Sequence, residues 1–297
     1  MNIAAENYAE HYIARFRKVL HYIDAHLEEE LDVESLCGIA AFSRYHFHRQ
    51  FAALFGVGVY EYIQLTRLKR ASWKLAFRDA DSVTGIALDA GYQVPEAFAR
   101  AFKKSTGQSP SAFRKQPQWN PWYAHYQSLS ELRIKHMRTT YQASQVGIIQ
   151  FKETRVAVLQ HRGDPRQLGD SIRSFIGWRK QNRLPPSMSA TFNIAYDDPD
   201  TTEAADFRFD LCAATDRDID TNEQGVIAAT IPGGRCAVLR HTGSDDHLGD
   251  VARYLYSDWL PHSGEELRDF PIFFQRVAFF PDVPEHLAAT DVFLPLK

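Results

Sequence analysis

His161 and His241 are residues whose type and placement invite a chemical reading. Each ends a run of alternating apolar residues two positions before a glycine, in RVAVLQHRG (155–163) and RCAVLRHTG (235–243). A neutral imidazole near its ordinary pKa can act as a general base. These two sit at equivalent strand ends, however, where a turn-holding role is the stronger expectation. No Ser-His-Asp spacing, Gly-rich phosphate loop or metal-ligand cluster accompanies them. His46 and His48 are two apart on a helical segment, so they point about 200° apart and cannot share a metal. Cys37, Cys212 and Cys236 are far apart and form no CxxC pair. That fits a reducing compartment and argues against a disulfide frame or a zinc site. No catalytic residue, metal or cofactor is expected.

Arginine offers a different chemistry. Residues 36–115 carry twelve Lys and Arg against five Asp and Glu, whereas 145–297 carry sixteen against twenty-three. A basic half of this size is what a phosphate backbone attracts. Within it, FHRQFAALFG returns as FARAFKKSTG. Phe47, Arg49, Phe51 and Gly56 recur 51 positions later as Phe98, Arg100, Phe102 and Gly107, and Tyr62 recurs as Phe113. At about 100° per residue, Phe51 and Leu54 fall within about 40° of Phe47, which makes that side the core face. Arg49, Tyr45 and His48 project away from it, as do Glu96, Arg100 and Lys103 in the second copy. An outward guanidinium suits a guanine edge, and Lys and Arg suit phosphates. The alternative is that Arg49 and Arg100 pair with carboxylates on a neighbouring helix. Their equivalent outward places favour groove contact.

The elements that must position these residues read as helices over 8–115. Phe16, Leu20, Ile23 and Leu27 recur at helical spacing. Asp32 is placed to cap VESLCGIAA, and Ser43 to cap RYHFHRQFAALFG, which stops at Gly56. A long helix follows over 58–77. Asp81 or Ser82 caps VTGIALDAGY, and Pro95 opens EAFARAFKKSTG in a first-turn position. Two helix-turn-helix units result, each with a second helix able to enter a major groove. The connecting helix spans roughly 30 Å, near the ~34 Å of one DNA turn.

SRYHFHRQF, RLKRA, IALDAGY and FARAFKKSTGQSPSAFR resemble the AraC/XylS family of bacterial transcription regulators over about 10–115. The resemblance implies that Tyr45, His48 and Arg49 meet bases from the first reading helix and that Glu96 and Arg100 occupy the matching places in the second. Arg44, Lys103 and Lys104 complete the expected DNA-binding set. Val94 and Glu96 stand where the family often has an Asp or Asn cap and a polar residue. A glutamate there repels phosphate, so the first unit is expected to dominate sequence reading.

Residues 116–144 are expected as a linker. Pro117 and Pro121 argue against a continuous helix there, and Trp119 and Trp122 imply that the segment packs on a neighbouring surface.

In the second half, ten of nineteen positions are identical between 155–173 and 235–253. Each copy opens with a strand pattern, RVAVLQH or RCAVLRH. A Gly turn and an amphipathic helix follow, QLGDSIRSFIGWRKQ or HLGDVARYLYSDWL, and then Leu-Pro-x-Ser. Two strand candidates complete each copy, SATFNIAYD and DFRFDLCAA, then FPIFFQRVAFF and TDVFLPL. The expected domain is α+β, two β-α-β-β repeats around a pseudo-twofold axis.

R-x-A-V-L-x-H-x-G in both copies, GVIAATIPGGRCAV, DWLPHSG and TDVFLPL are similar to the GyrI-like effector-binding domain, over about 145–297. The resemblance implies a pocket between the repeats for a small molecule. Trp178, Tyr196, Tyr254, Trp259, Phe273 and Gln275 are the candidate lining residues, each weighed against an ordinary core role. Many such domains carry a glutamate in P-x-x-E-x-Y, but PIFFQR puts Phe274 at the glutamate place and Arg276 at the tyrosine place. A cationic ligand is therefore disfavoured. Gln275 suits a neutral ligand and an inward Arg276 an anionic one, and strand alternation allows only one of those faces to line a cavity.

The expected whole is multidomain. An all-α N-terminal domain at 8–115 carries two helix-turn-helix units, a linker covers 116–144, and the α+β domain covers 145–297. The expected function is transcription regulation on double-stranded DNA, modulated by an amphipathic or aromatic, non-cationic effector, with RNA polymerase a further partner. No run of 18 apolar residues suggests a membrane span, and MNIAAENYAEHY lacks a signal-peptide pattern. A bacterial cytoplasmic, nucleoid-associated place is expected. An enzyme is not expected. The competing readings make the second half a small-molecule hydrolase or a module that captures a protein on its acidic face.

Overall fold

The computed structural model describes residues 3–137 and 139–297, with side chains from residue 11 onward. Two compact units emerge. One holds the residues up to 137 together with Pro284–His286, and the other holds Thr139–Val283 and Leu287–Lys297.

The first unit is helical: α1 (Ile3–Ala25), α2 (Val33–Ala40), α3 (Arg44–Phe55), α4 (Val59–Phe77), α5 (Val83–Asp89), α6 (Pro95–Thr106), α7 (Pro110–Lys115) and α8 (Trp119–His136). Local chemistry accounts for several boundaries. Asp32 accepts the Ser35 amide, Ser82 that of Gly85 and Ser109 that of Ala112, so orphan first-turn donors are met. Ser43 takes the N-cap position of α3 but makes no side-chain cap bond. α3 and α6 end at left-handed glycines, Gly56 and Gly107. Ala41 also adopts that conformation, with φ 51°. It is held by Arg15, whose guanidinium donates to the Ala40 and Ala41 carbonyls and lies 4.0 Å over the Phe42 ring. The core has a centre for each copy of the motif. Phe16 meets Phe42, Phe47, Phe51 and Phe55 in one. Phe98, Phe102, Phe113 and Trp119 form the other.

The expectation of a broken segment at the joint is corrected here. Trp119–His136 is a continuous 18-residue helix. Pro117 lies before it and Pro121 falls in its first turn, where the missing N–H has no intrahelical acceptor to lose. Its tryptophans pack on the first unit. Trp119 stacks on Phe77 at 5.8 Å, and Trp122 meets Trp73 edge-on at 6.3 Å.

The second unit is built on one antiparallel eight-stranded sheet. Its strands are β1 (Gly147–Phe151), β2 (Thr154–Arg162), β3 (Thr191–Ala195), β4 (Arg208–Ala214), β5 (Ile227–Ile231), β6 (Gly234–Thr242), β7 (Phe273–Ala278) and β8 (Ala289–Pro295). The order β1-β6-β8-β7-β3-β4-β2-β5 reads the same in reverse once each strand is exchanged for its repeat partner. That is a pseudo-twofold seam. Asn193 pairs with Leu211 and Phe274 with Val292, and both members shift by 81 between copies (274 − 193 = 292 − 211). Asn193 and Phe274 are therefore equivalent, and they face each other across the β3–β7 pairing. The axis runs between them.

Each repeat is also longer than β-α-β-β. GIIQF and IAATI form extra strands, and each pairs with the other repeat: β1 on β6, β5 on β2. Helix α9 (Leu168–Gln181) follows β2. After β6 come α10 (Leu248–Tyr254), a π turn at Leu255–Trp259 and α11 (Leu260–Ser263). The second Leu-Pro-x-Ser is thus helical, whereas the first follows Arg183 at φ 52° and is not. Helix-side cores gather Phe175 and Trp178 over Leu159 and Leu211, and Leu255 and Trp259 over Phe274 and Val292. The opposite face holds Phe151, Phe192, Phe273 and Phe293.

Candidate nucleic-acid interface and ligand-binding repeat

Helices α3 and α6 present one pattern. On α3, Phe47, Phe51 and Phe55 are buried while Arg44, Tyr45 and Arg49 are exposed, Tyr45 to 88 %. On α6, Phe98, Phe102 and Thr106 are buried while Glu96, Arg100, Lys103 and Lys104 are exposed. His48 is half-buried, its ring 5.9 Å from that of Tyr60 in a stacked arrangement. Tyr60, 60 % exposed at the start of α4, is an interface candidate that the sequence reading missed. Its signal was an aromatic on the side of α4 opposite the buried Tyr62.

Three basic residues of α4 are engaged within the unit: Arg67 donates to the Leu27 and Glu29 carbonyls, Arg70 pairs with Glu28, and Lys74 pairs with Asp89. Arg44, Arg49, Arg100, Lys103 and Lys104 have no carboxylate partner among the described residues. The pairing alternative for Arg49 and Arg100 is not what the structure shows. The turn between α5 and α6 is also constrained. At Gly91, φ is 79° and a Cβ would lie 2.7 Å from the Arg67 guanidinium, so only glycine fits without displacing it.

In the second unit both histidines hold turns. His161 Nε2 meets the Asp164 carbonyl at 3.2 Å and His241 Nε2 meets the Ser244 carbonyl at 2.9 Å. Their Nδ1 atoms meet the Ser171 hydroxyl at 2.9 Å and the Tyr141 hydroxyl at 2.8 Å. Burial lowers the His241 pKa, which favours the neutral ring. Among the described residues no group of three or more His, Cys, Asp or Glu is placed to hold a metal.

The six candidate lining residues do not share one wall. Trp178, Tyr254 and Trp259 lie on the helix side, Trp178 stacked on Phe175 and Tyr254 against Tyr141. Phe273 is fully buried on the opposite face, its ring 4.9 Å from that of Phe293, and half-buried Gln275 shares that face by strand alternation. Tyr196 donates to Asp210 Oδ2 at 3.0 Å, with Arg162 and Arg208 flanking its ring. Burial, then the neighbouring Asp210 carboxylate, push its pKa up to about 12. Phe274 and Arg276 face the helices. Phe274 is buried beside the axis, and Arg276 Nε donates to Asn193 Oδ1 at 2.9 Å while its Nη1 pairs with Asp245. Phe209 packs against both helix-side cores and bridges them at the seam. A separate open groove is lined by Gln145, Gly147, Val238, Arg240 and Asp291. No helix among the described residues is long and apolar enough to cross a membrane.

Comparisons with known proteins agree with this division. Residues 144–297 match the family described as GyrI-like small molecule binding domain, and 36–116 match a helix-turn-helix domain. The chain is similar to the "Probable transcriptional regulator YgiV" of Escherichia coli (strain K12), 41 % identical over 152 residues, covering 51 % of this chain and 95 % of that protein. It is similar to the "Uncharacterized HTH-type transcriptional regulator YbfP" of Bacillus subtilis (strain 168), 36 % identical over 104 residues, 35 % of each chain. A solved DNA-binding domain of AdpA, described as a global transcriptional factor in complex with a target DNA, is 32 % identical with a TM-score of 0.31, covering 34 % of this chain and 94 % of that one. The chain belongs to the GyrI-like family with an AraC-type helix-turn-helix domain before it, a DNA-binding transcription regulator with a small-molecule-binding domain.

Proposed function

We propose that α3 and α6 enter successive major grooves of double-stranded DNA and that a small molecule held at the seam of the second unit sets the affinity. The observation that carries the first part is the sorting of basic side chains. Arg67, Arg70 and Lys74 on α4 are tied to carbonyls and carboxylates, whereas Arg44, Arg49, Arg100, Lys103 and Lys104 on α3 and α6 are exposed with no carboxylate partner among the described residues. An exposed guanidinium at equivalent places on two helices suits guanine edges and phosphates. At about 1.5 Å per residue, the 19 residues of α4 span roughly 28 Å, close to one DNA turn of ~34 Å. Selection of duplexes from a random pool by the full chain, followed by footprinting, tests this. Binding without sequence preference would sink it.

The effector reading rests on the axis. Phe274 and Asn193 meet there on the helix side, with Arg276 beside them and Phe209, Tyr254 and Trp259 supplying apolar surface. This set suits an aromatic or amphipathic molecule that is neutral or anionic, since none of the residues named carries a carboxylate and Arg276 carries a positive charge. A thermal-shift screen of neutral, anionic and cationic aromatic compounds checks it, because a ligand that binds the folded state raises the midpoint. Stabilisation by cations alone would count against this reading.

Regulation without turnover is the accompanying reading. Ser171 meets His161, but the second imidazole nitrogen faces a backbone carbonyl and the Asp164 carboxylate is bound by Arg166. Among the described residues the imidazole nitrogens of His161 meet a hydroxyl and a backbone carbonyl, not the carboxylate that orients a hydrolase base. Such a regulator acts in the bacterial cytoplasm where the nucleoid lies, and RNA polymerase is the partner through which it changes transcription. Run-off transcription from a selected duplex, with and without a stabilising compound, measures that step.

A further inference from the structure

The two repeats put different chemistry at equivalent places beside the axis. Their central strands correspond at an offset of 81, so Arg276 stands where the first repeat has Ala195, Thr290 where it has Phe209, and Ile272 where it has Thr191. Asp245 opens the short turn after β6, and Pro165 opens the equivalent turn after β2. Arg179 follows Trp178, whereas Leu260 follows Trp259. Every polar or charged member of these five pairs falls at one end of the seam, and every apolar member at the other.

Direct contacts hold the polar end together. Arg276 and Thr191 are neighbours across the β3–β7 pairing, and Arg179 Nη1 donates to the Thr191 hydroxyl at 2.6 Å. Arg276 Nε donates to Asn193 Oδ1 at 2.9 Å, and its Nη1 donates to the Thr290 hydroxyl at 3.3 Å and pairs with Asp245. The charges there do not cancel. Arg179 is buried to 5 % exposure, yet its remaining bonds go to the Leu184 and Ser189 carbonyls, and it has no carboxylate partner among the described residues. Burial lowers its pKa to about 10, which still favours the cation at neutral pH. Two guanidiniums and the single carboxylate of Asp245 leave an excess positive charge, which is unfavourable away from water. The Asp245 side chain is 53 % exposed on a three-residue turn, so it can swing into water, whereas Arg276 is fixed by Asn193 and Thr290. At the apolar end Ala195, Phe209 and Leu260 are half-buried and pack against the core of Leu255, Trp259 and Phe274, leaving apolar surface uncovered.

We propose that the seam binds an amphipathic monocarboxylate in one direction, its carboxylate replacing that of Asp245 on Arg276 and its apolar body lying against Ala195 and Phe209. Asp245 is the internal counter-ion that the ligand displaces. The proposal rests on the seam being the effector site, and it deepens that reading by fixing the ligand's charge and direction. Asp245 begins the turn that leads into α10, so its release is the first movement that binding imposes on the second unit.

The test is calorimetric titration of the full chain with three probes of one skeleton: phenylbutyrate, phenylbutyramide and phenylbutylamine. The carboxylate is expected to bind about tenfold or more tighter than the amide, with the amine weakest. Arg276→Met should abolish that preference, and Arg276→Lys should keep part of it. Asp245→Asn should raise carboxylate affinity several-fold and leave amide affinity unchanged. Phe209→Ala should weaken carboxylate and amide alike. Thermal unfolding of each variant shows that it is folded. A preference that survives Arg276→Met, or unchanged carboxylate affinity in Asp245→Asn, overturns the proposal. An amide that binds the parent chain as tightly as the carboxylate overturns it too but leaves the effector reading standing, whereas binding of none of the three removes both.

Discussion

Arg49→Ala separates DNA reading from scaffolding. Arg49 leaves α3 on the side away from Phe47 and Phe51, is exposed, and has no carboxylate partner among the described residues. Truncating it removes no packing and no internal ion pair, so the cost to folding should stay within about 0.5 kcal/mol. A guanidinium paired with a guanine edge contributes about 1–3 kcal/mol of discrimination, a loss of about 5- to 150-fold in affinity for the selected duplex. Contact with phosphate alone would instead weaken all duplexes alike and lower the salt slope by about 1. The first outcome is expected. Glu96→Ala is expected to do the opposite, because an exposed carboxylate in the first turn of α6 repels phosphate. It should preserve or raise affinity, at a cost to the helix of about 0.3–1 kcal/mol from the lost dipole interaction. Fluorescence anisotropy on the selected and a scrambled duplex at three salt concentrations, beside thermal unfolding, measures every quantity named. Equal loss from both variants would refute the asymmetry. A drop of many degrees in the Arg49→Ala midpoint would refute the claim that this side chain is spare to the fold.

Phe273→Ala removes a ring stacked on Phe293 and edge-on to Phe151. It should destabilise the second unit by about 3–5 kcal/mol in urea titration, and a change below about 1 kcal/mol would contradict its placement at the sheet core. Gly91→Ala and Gly107→Ala both force a left-handed alanine, but only Gly91 has the Arg67 guanidinium against its Cβ direction. Each should cost roughly 1–3 kcal/mol, with Gly91→Ala the worse by thermal midpoint. Burial holds His241 below its ordinary value of 6.5, so the unfolded chain binds more protons there as pH falls. Stability should be full above about pH 6.5 and decline below it, and His241→Gln should flatten that decline in midpoints taken from pH 7.5 to 5.

The residues proposed to contact DNA were visible locally. Phe47 and Phe51 against Arg49, and Phe98 and Phe102 against Arg100, are sorted by the pitch of a helix, and both helices form as expected. Caps at Asp32 and Ser82 and stops at Gly56 and Gly107 are equally local. The α8 helix was misread because proline was counted without its place in the turn. The edge strands GIIQF and IAATI carried no apolar-polar alternation, since each has four exposed residues and buries only the last.

The sequence by itself determined that two motifs are each written twice, which residues of α3 and α6 face inward, and where most helices begin and end. These depend on neighbours within a few positions, where side-chain and backbone geometry act directly. Only the tertiary structure decided that the edge strands exchange between repeats, that Asn193 meets Phe274 across the axis, and that Glu285 joins Lys69 and Arg133. Those pairings join residues from 69 positions apart (Val158 and Ile227) to 216 (Lys69 and Glu285). Burial, charge balance and the closing of sheet edges select such partners, and none of those acts through local sequence.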